Sequence, residues 1–116
     1  MFPIDIRFID LQPSDATEDY VRERAEKLGN ACAAITSCRV TVSREHAATR
    51  TPAVKVSLVT GLRGRGTKSI STEEVLDRHE PGQAVSRAVR DAFDTAMRQF
   101  VSDRKSRPNR MQEIPA

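Results

Sequence analysis

No stretch of this 116-residue chain approaches the roughly 20 consecutive apolar residues that a helix needs to cross a bilayer. A membrane partner is therefore not expected. The N-terminus, MFPIDIRFID, places aspartates where a secretory signal would have basic residues and an apolar core, so the expected location is cytoplasmic. Cysteine is also sparse. Cys32 and Cys38 are separated by five residues, without the CxxC or CxxC…HxxxH spacing of a zinc site. Two small, partly buried thiols are the plain expectation, with a disulfide or a metal role as alternatives.

Catalytic signatures are missing as well. His46 and His79 have Glu45 and Glu80 beside them, yet no serine or cysteine is placed by a recognisable motif as a nucleophile. Neither an H-E-x-x-H helix nor a paired-carboxylate signature occurs. The expectation is a protein that is not an enzyme, with no cofactor, no bound metal and no small-molecule substrate.

What is present is one domain's worth of chain with an uneven charge distribution. Lys and Arg number 19 against 16 Asp and Glu, a net +3. Residues 1–36 carry net −3, whereas residues 37–82 and 83–116 each carry net +3. The positive field thus belongs to the middle and the C-terminal third, a pattern that bears on partners rather than on fold.

Periodicity divides the chain into six elements. Ile4, Ile6 and Phe8 alternate with Asp5, Arg7 and Ile9, the period of a half-buried strand. Pro13 and Ser14 break it, and Ser14 or Asp15 can cap a helix, with Glu18 placed to complete a capping box from Asp15. Tyr20 or Val21, Ala25 and Leu28 form that helix's apolar face, and Gly29 and Asn30 are its expected end. Strands are expected at about 37–44 (Cys38, Val40 and Val42 on one face), 53–60 (Val54, Val56 and Leu58) and, more weakly, 67–75 around Ile70. A helix then runs from Pro81 or Gly82 to about Asp103, with Val85, Val89, Ala92, Ala96 and Phe100 as its buried stripe. Arg87, Asp91, Asp94, Arg98, Ser102 and Lys105 share the opposite side at about 100° per residue. Salt-bridged solvent exposure and a phosphate-facing surface both fit that stripe.

The order β-α-β-β-β-α without internal repeat implies an α+β fold of two layers. A four-stranded mixed sheet would carry both helices on one face, its first two strands parallel through the helical crossover. The domain is expected to occupy residues 1–105, leaving 106–116 (SRPNRMQEIPA) as a flexible tail.

The run TGLRGRGTKS at 60–69 needs separate treatment, because Gly61 and Gly66 have the spacing of a phosphate-binding P-loop. Thr67 intervenes before Lys68, and a P-loop must open into a helix, whereas residues 70–75 read as a strand. The run is expected to be a hairpin connection in which Gly61, Gly64 and Gly66 supply positive φ. Its cations Arg63, Arg65 and Lys68 suit nonspecific phosphate contacts or a merely soluble turn.

PIDIRFIDLQPSDATEDYVRERAEKL, then ITSCRVTVS, then RHEPGQAVSRAVRDAFDTAMRQF together resemble the ribosome hibernation-promoting factor and ribosome-associated inhibitor A family, also called sigma-factor modulation proteins. The resemblance spans about residues 3–103. It implies a β-α-β-β-β-α fold and a protein that binds the small ribosomal subunit in the mRNA and tRNA channel, silencing translation by occupancy. Family basic positions carried onto this chain are Arg24, Lys27, Arg78, His79 and Arg98; charge geometry adds Arg87, Arg90, Arg104 and Lys105, and the hairpin adds Arg63 and Arg65. Relatives often have aromatics at the end of the first helix, where this chain has Gly29, Ala31, Cys32 and Ala33, so that corner should be thinner. Pro81 and Gln83 stand where the family has an acid and a tyrosine. The chain is expected to be a short form, without a dimerising second domain, and a monomer off the ribosome. A protein-interaction regulator that does not bind ribosomes, or a general double-stranded RNA-binding module, are the alternatives on the same fold.

Overall fold

The computed structural model describes residues 2–46, 52–76 and 81–113, with side chains described at 2–45, 52–76 and 82–100. Six elements follow in the expected order: β1 (Ile4–Ile9), α1 (Asp15–Ala31), β2 (Ile35–His46), β3 (Pro52–Leu62), β4 (Gly66–Val75) and α2 (Pro81–Glu113). The sheet order is β1-β2-β3-β4. β1 and β2 are parallel, and the other two pairings are antiparallel.

The register sets rows of side chains across the sheet. Ile6, Val40, Leu58 and Ile70 form one such row, and Phe8, Val42, Val56 and Thr72 the next. This face meets the helices: Val21, Ala25 and Leu28 from α1 and Val85, Val89, Ala92, Ala96 and Phe100 from α2 join the strand residues in one core. Alternation in the strands and three- and four-residue steps in the helices therefore converge on the same interior, as two-layer packing requires. Among the described residues Phe93 is the largest fully buried side chain. Thr72 shows how a polar residue enters this layer: its hydroxyl donates to the Ala88 carbonyl at 2.7 Å, tying β4 to α2.

Several boundaries differ from expectation for identifiable reasons. At the start of α1 the cap is Ser14, extended at φ −130° and ψ 124°, whose hydroxyl accepts from the Thr17 amide at 3.3 Å. Glu18 then falls one residue beyond the position that would reciprocate, so the box centred on Asp15 does not form; Asp15 and Glu18 instead face the positive end of the helix dipole. α1 also runs through Gly29 and Asn30 to Ala31. Gly29 serves space rather than termination: a Cβ there would sit 2.5 Å from Cε2 of Phe2. The helix ends at Cys32, whose amide donates to the Leu28 carbonyl at 2.9 Å.

α2 begins at Pro81, where a missing amide hydrogen is harmless. Its backbone stays helical past Asp103 and through the segment expected to be loose, as far as Glu113. Arg104, Lys105, Arg107, Arg110, Met111 and Gln112 are all good helix formers, and they flank Pro108, which removes one donor from the ladder.

Candidate nucleic-acid interface

The hairpin between β3 and β4 is built by its glycines. Leu62 pairs with Gly66, leaving Arg63, Gly64 and Arg65 as the connection, and the Arg65 amide donates to the Leu62 carbonyl at 3.1 Å. Gly64 has φ 74° and Gly66 φ 76°. A third position of a four-residue turn at positive φ is what a type II turn needs, and L side chains resist it. Open space surrounds both glycines, so backbone conformation alone selects them.

Gly61 departs from the expectation of positive φ. It lies within β3 opposite Ser37, and a Cβ there would stand 2.5 Å from the Ser37 hydroxyl and 3.0 Å from that of Thr36. The register shift at the start of β2, between Ile35 and Ser37, brings those hydroxyls over the glycine. The Arg63 amide donates to the Ala34 carbonyl at 2.8 Å, anchoring the hairpin's root to the strand that follows α1.

Arg63 and Arg65 are exposed on this tip. The other expected contact residues are spread more widely. On α1, Arg24 is ion-paired to Asp94 of α2 and only 21% of its side chain is exposed. Lys27 sits 3.6 Å from Glu23 one turn earlier. On α2, Arg87 is exposed near the start, Arg90 lies 3.7 Å from Asp91, and Arg98 donates to the Thr95 hydroxyl at 3.4 Å. Arg104 and Lys105 belong to the helical backbone of α2, but their side chains lie outside the described residues. Arg78 and His79 fall outside the described residues altogether.

Charge is divided between the two layers in a way the helix stripe did not suggest. Through Phe100, α1 and α2 carry six cations and seven carboxylates, whereas the strands and the hairpin carry seven and four. Several strand cations lie on the face away from the helices. Asp5 there lies 3.3 Å from Arg7 and 3.5 Å from Arg39, a cluster assembled by the parallel β1–β2 register. Alternation in β1 and β2 assigned Arg7 and Arg39 outward, but only the pairing shows them together. Among the described residues no carboxylate lies within salt-bridge distance of Arg63, Arg65 or Arg87.

A cleft of about 650 Å³ opens where α1 ends, beside the hairpin. Phe2, Ile4, Glu26, Asn30, Thr36 and Arg63 are among the residues that line it, and the small residues Gly29, Cys32 and Ala33 also border it. The corner expected to be thin is thus hollow. Both cysteines are free and buried. Burial pushes the Cys38 thiol up from 9.0 to about 11, because a thiolate loses its hydration inside the core.

The fold and this distribution of charge define a compact two-layer α+β domain with an open, cation-bearing sheet face and a basic hairpin at one end. Residues 4–107 match the family described as "Sigma 54 modulation protein / S30EA ribosomal protein", and the chain belongs to that family. No curated protein matches the chain in sequence. Among solved structures, a ribosomal subunit interface protein from Coxiella burnetii is similar with a TM-score of 0.70 at 10% identity, covering 90% of this chain and 99% of its own. The N-terminal domain of Thermus thermophilus Protein Y is similar with a TM-score of 0.56 at 20% identity, covering 84% and 98%. At these identities the likeness is one of fold.

Proposed function

We propose that the protein is a ribosome-associated translation inhibitor that binds rRNA of the small subunit in the mRNA and tRNA channel. The observation that carries this reading is the family match across residues 4–107, nearly the whole of the folded unit. The unit that binds is residues 1–105, with 106–116 outside it. It acts in the cytoplasm by occupancy rather than catalysis, and it is a monomer off the ribosome.

The geometry adds a physical route. Arg63 and Arg65 stand on a tip with no side chain between them and solvent, so their guanidiniums reach phosphates without first breaking an internal ion pair. Arg87 at the start of α2 likewise pairs with no carboxylate among the described residues, while Arg24, Lys27 and Arg90 must exchange a carboxylate for a phosphate. Arg78, His79, Arg98, Arg104 and Lys105 complete the proposed surface. Binding of this kind rests on charge and shape, with little base readout, and it weakens steeply as salt rises.

Sedimentation with purified small subunits tests the reading. The protein is expected in the subunit fraction at low salt and at the top of the gradient at high salt. Retention at the top at low salt contradicts it. The near balance of charge on the helix layer favours one second reading, a protein-interaction regulator on this fold, and that outcome would select it.

A further inference from the structure

We propose that the corner cleft is a receptor for one unstacked, amine-bearing nucleotide of single-stranded RNA, with guanine as the best-fitting base. The inference rests on the RNA-binding reading above and adds a site and a ligand to it. Three kinds of group meet at the cleft, and their combination selects the occupant. Arg63 supplies a phosphate ligand at the cleft, held beside it by the hydrogen bond its amide donates to the Ala34 carbonyl and followed by the exposed Arg65 on the same tip. Thr36 lines the same cleft.

Phe2 contributes an aromatic ring, and Pro3 and Ile4 an apolar wall, which suit the flat face of a base. Glu26 and Asn30 line the cleft from the exposed face of α1's last two turns. A carboxylate only accepts hydrogen bonds, and guanine presents two adjacent donors on its pairing edge whereas uracil presents one. The family match favours RNA over a peptide as the source of that ligand.

Size and origin agree with this occupant. At about 650 Å³ the cleft lies within the roughly 300–1,000 Å³ usual for small-ligand sites. Ala33, a small residue on its lining, leaves room that a larger side chain would fill. A duplex keeps its bases stacked, so only a looped-out or single-stranded nucleotide can enter.

The test is an amide-shift titration of the full chain with hexauridylate and with the same hexamer carrying one guanine. The guanine hexamer should shift Asn30, Thr36 and Arg63 saturably and bind about tenfold tighter than hexauridylate, a charge-assisted pair's worth of discrimination. Glu26→Gln should erase most of that preference. Arg63→Ser should weaken both hexamers about tenfold, and Ala33→Trp should block both by filling the cleft. Absence of shifts at the cleft, equal shifts from inorganic phosphate alone, or guanosine monophosphate binding as tightly as the hexamer would each overturn the proposal. If wild-type protein sediments with small subunits while the hexamers leave the cleft unmoved, the cleft assignment alone fails. If neither binds, the ribosomal reading fails with it.

Discussion

Arg24 of α1 and Asp94 of α2 form an ion pair that joins the two helices across the outer side of their shared layer. The arginine is mostly covered, and the aspartate is half exposed. A residue expected to meet rRNA is therefore already engaged by a carboxylate on the neighbouring helix.

Asp94→Asn frees that arginine and removes a negative charge from the helix surface. The pair is partly solvated, so its loss should cost only about 0.5–1 kcal/mol of stability. Affinity for small subunits should rise, because Arg24 no longer exchanges one anion for another. Thermal denaturation and a filter-binding titration read the two effects, and a fall in affinity would assign Arg24 a purely structural role.

Gly29 separates helix propensity from packing. Alanine is the better helix former by about 1 kcal/mol, yet its Cβ would lie 2.5 Å from the Phe2 ring. Gly29→Ala should therefore fail to stabilise the protein, at a net cost of about 1 kcal/mol as the ring is displaced. Adding Phe2→Ala should restore the propensity gain at position 29. Denaturant melts of the four proteins in this cycle give the coupling directly.

At the hairpin, Gly64→Ala should cost about 1–2 kcal/mol, because the left-handed region is unfavourable to a Cβ even in open space. Gly64→Asn should cost less, since asparagine tolerates that region. Equal losses from the two substitutions would mean that the loop abandons its positive φ.

Cys38 carries a pH signature. Its thiol is raised from 9.0 to about 11 in the folded protein, so the unfolded chain ionises first as pH rises. The folded state then holds the extra proton, and stability present below pH 9 should decline between about pH 9 and 11. Cys38→Val should flatten that part of the stability profile. Native Cys38 should also resist alkylation at pH 8 until the protein is denatured.

Local pattern carried much of this fold. The alternation of Ile4, Ile6 and Phe8 and the stripe from Val85 to Phe100 each report a face, and the faces meet in one core. Glycines were less legible because one residue type serves different needs. Gly64 and Gly66 follow turn chemistry, whereas Gly29 and Gly61 answer to Phe2 and to Thr36 and Ser37, partners remote in sequence. Phe93 lies four residues after Val89, where the stripe takes the three-residue step to Ala92, so a narrow stripe omits the largest buried ring among the described residues. For the candidate interface, sequence supplied the cations but not their partners. Arg24 with Asp94, and Arg39 with Asp5, come together only through tertiary register, whereas Asp5 and Arg7 share one face of a single strand. The cleft was foreshadowed solely by the small residues after Leu28.

Occupancy of the decoding channel is best tested by competition on purified small subunits. Labelled protein bound to the subunit should be released when mRNA and tRNA are added together, and prebound mRNA and tRNA should block its entry. Simultaneous binding of all three, with the protein's affinity unchanged, would contradict the account.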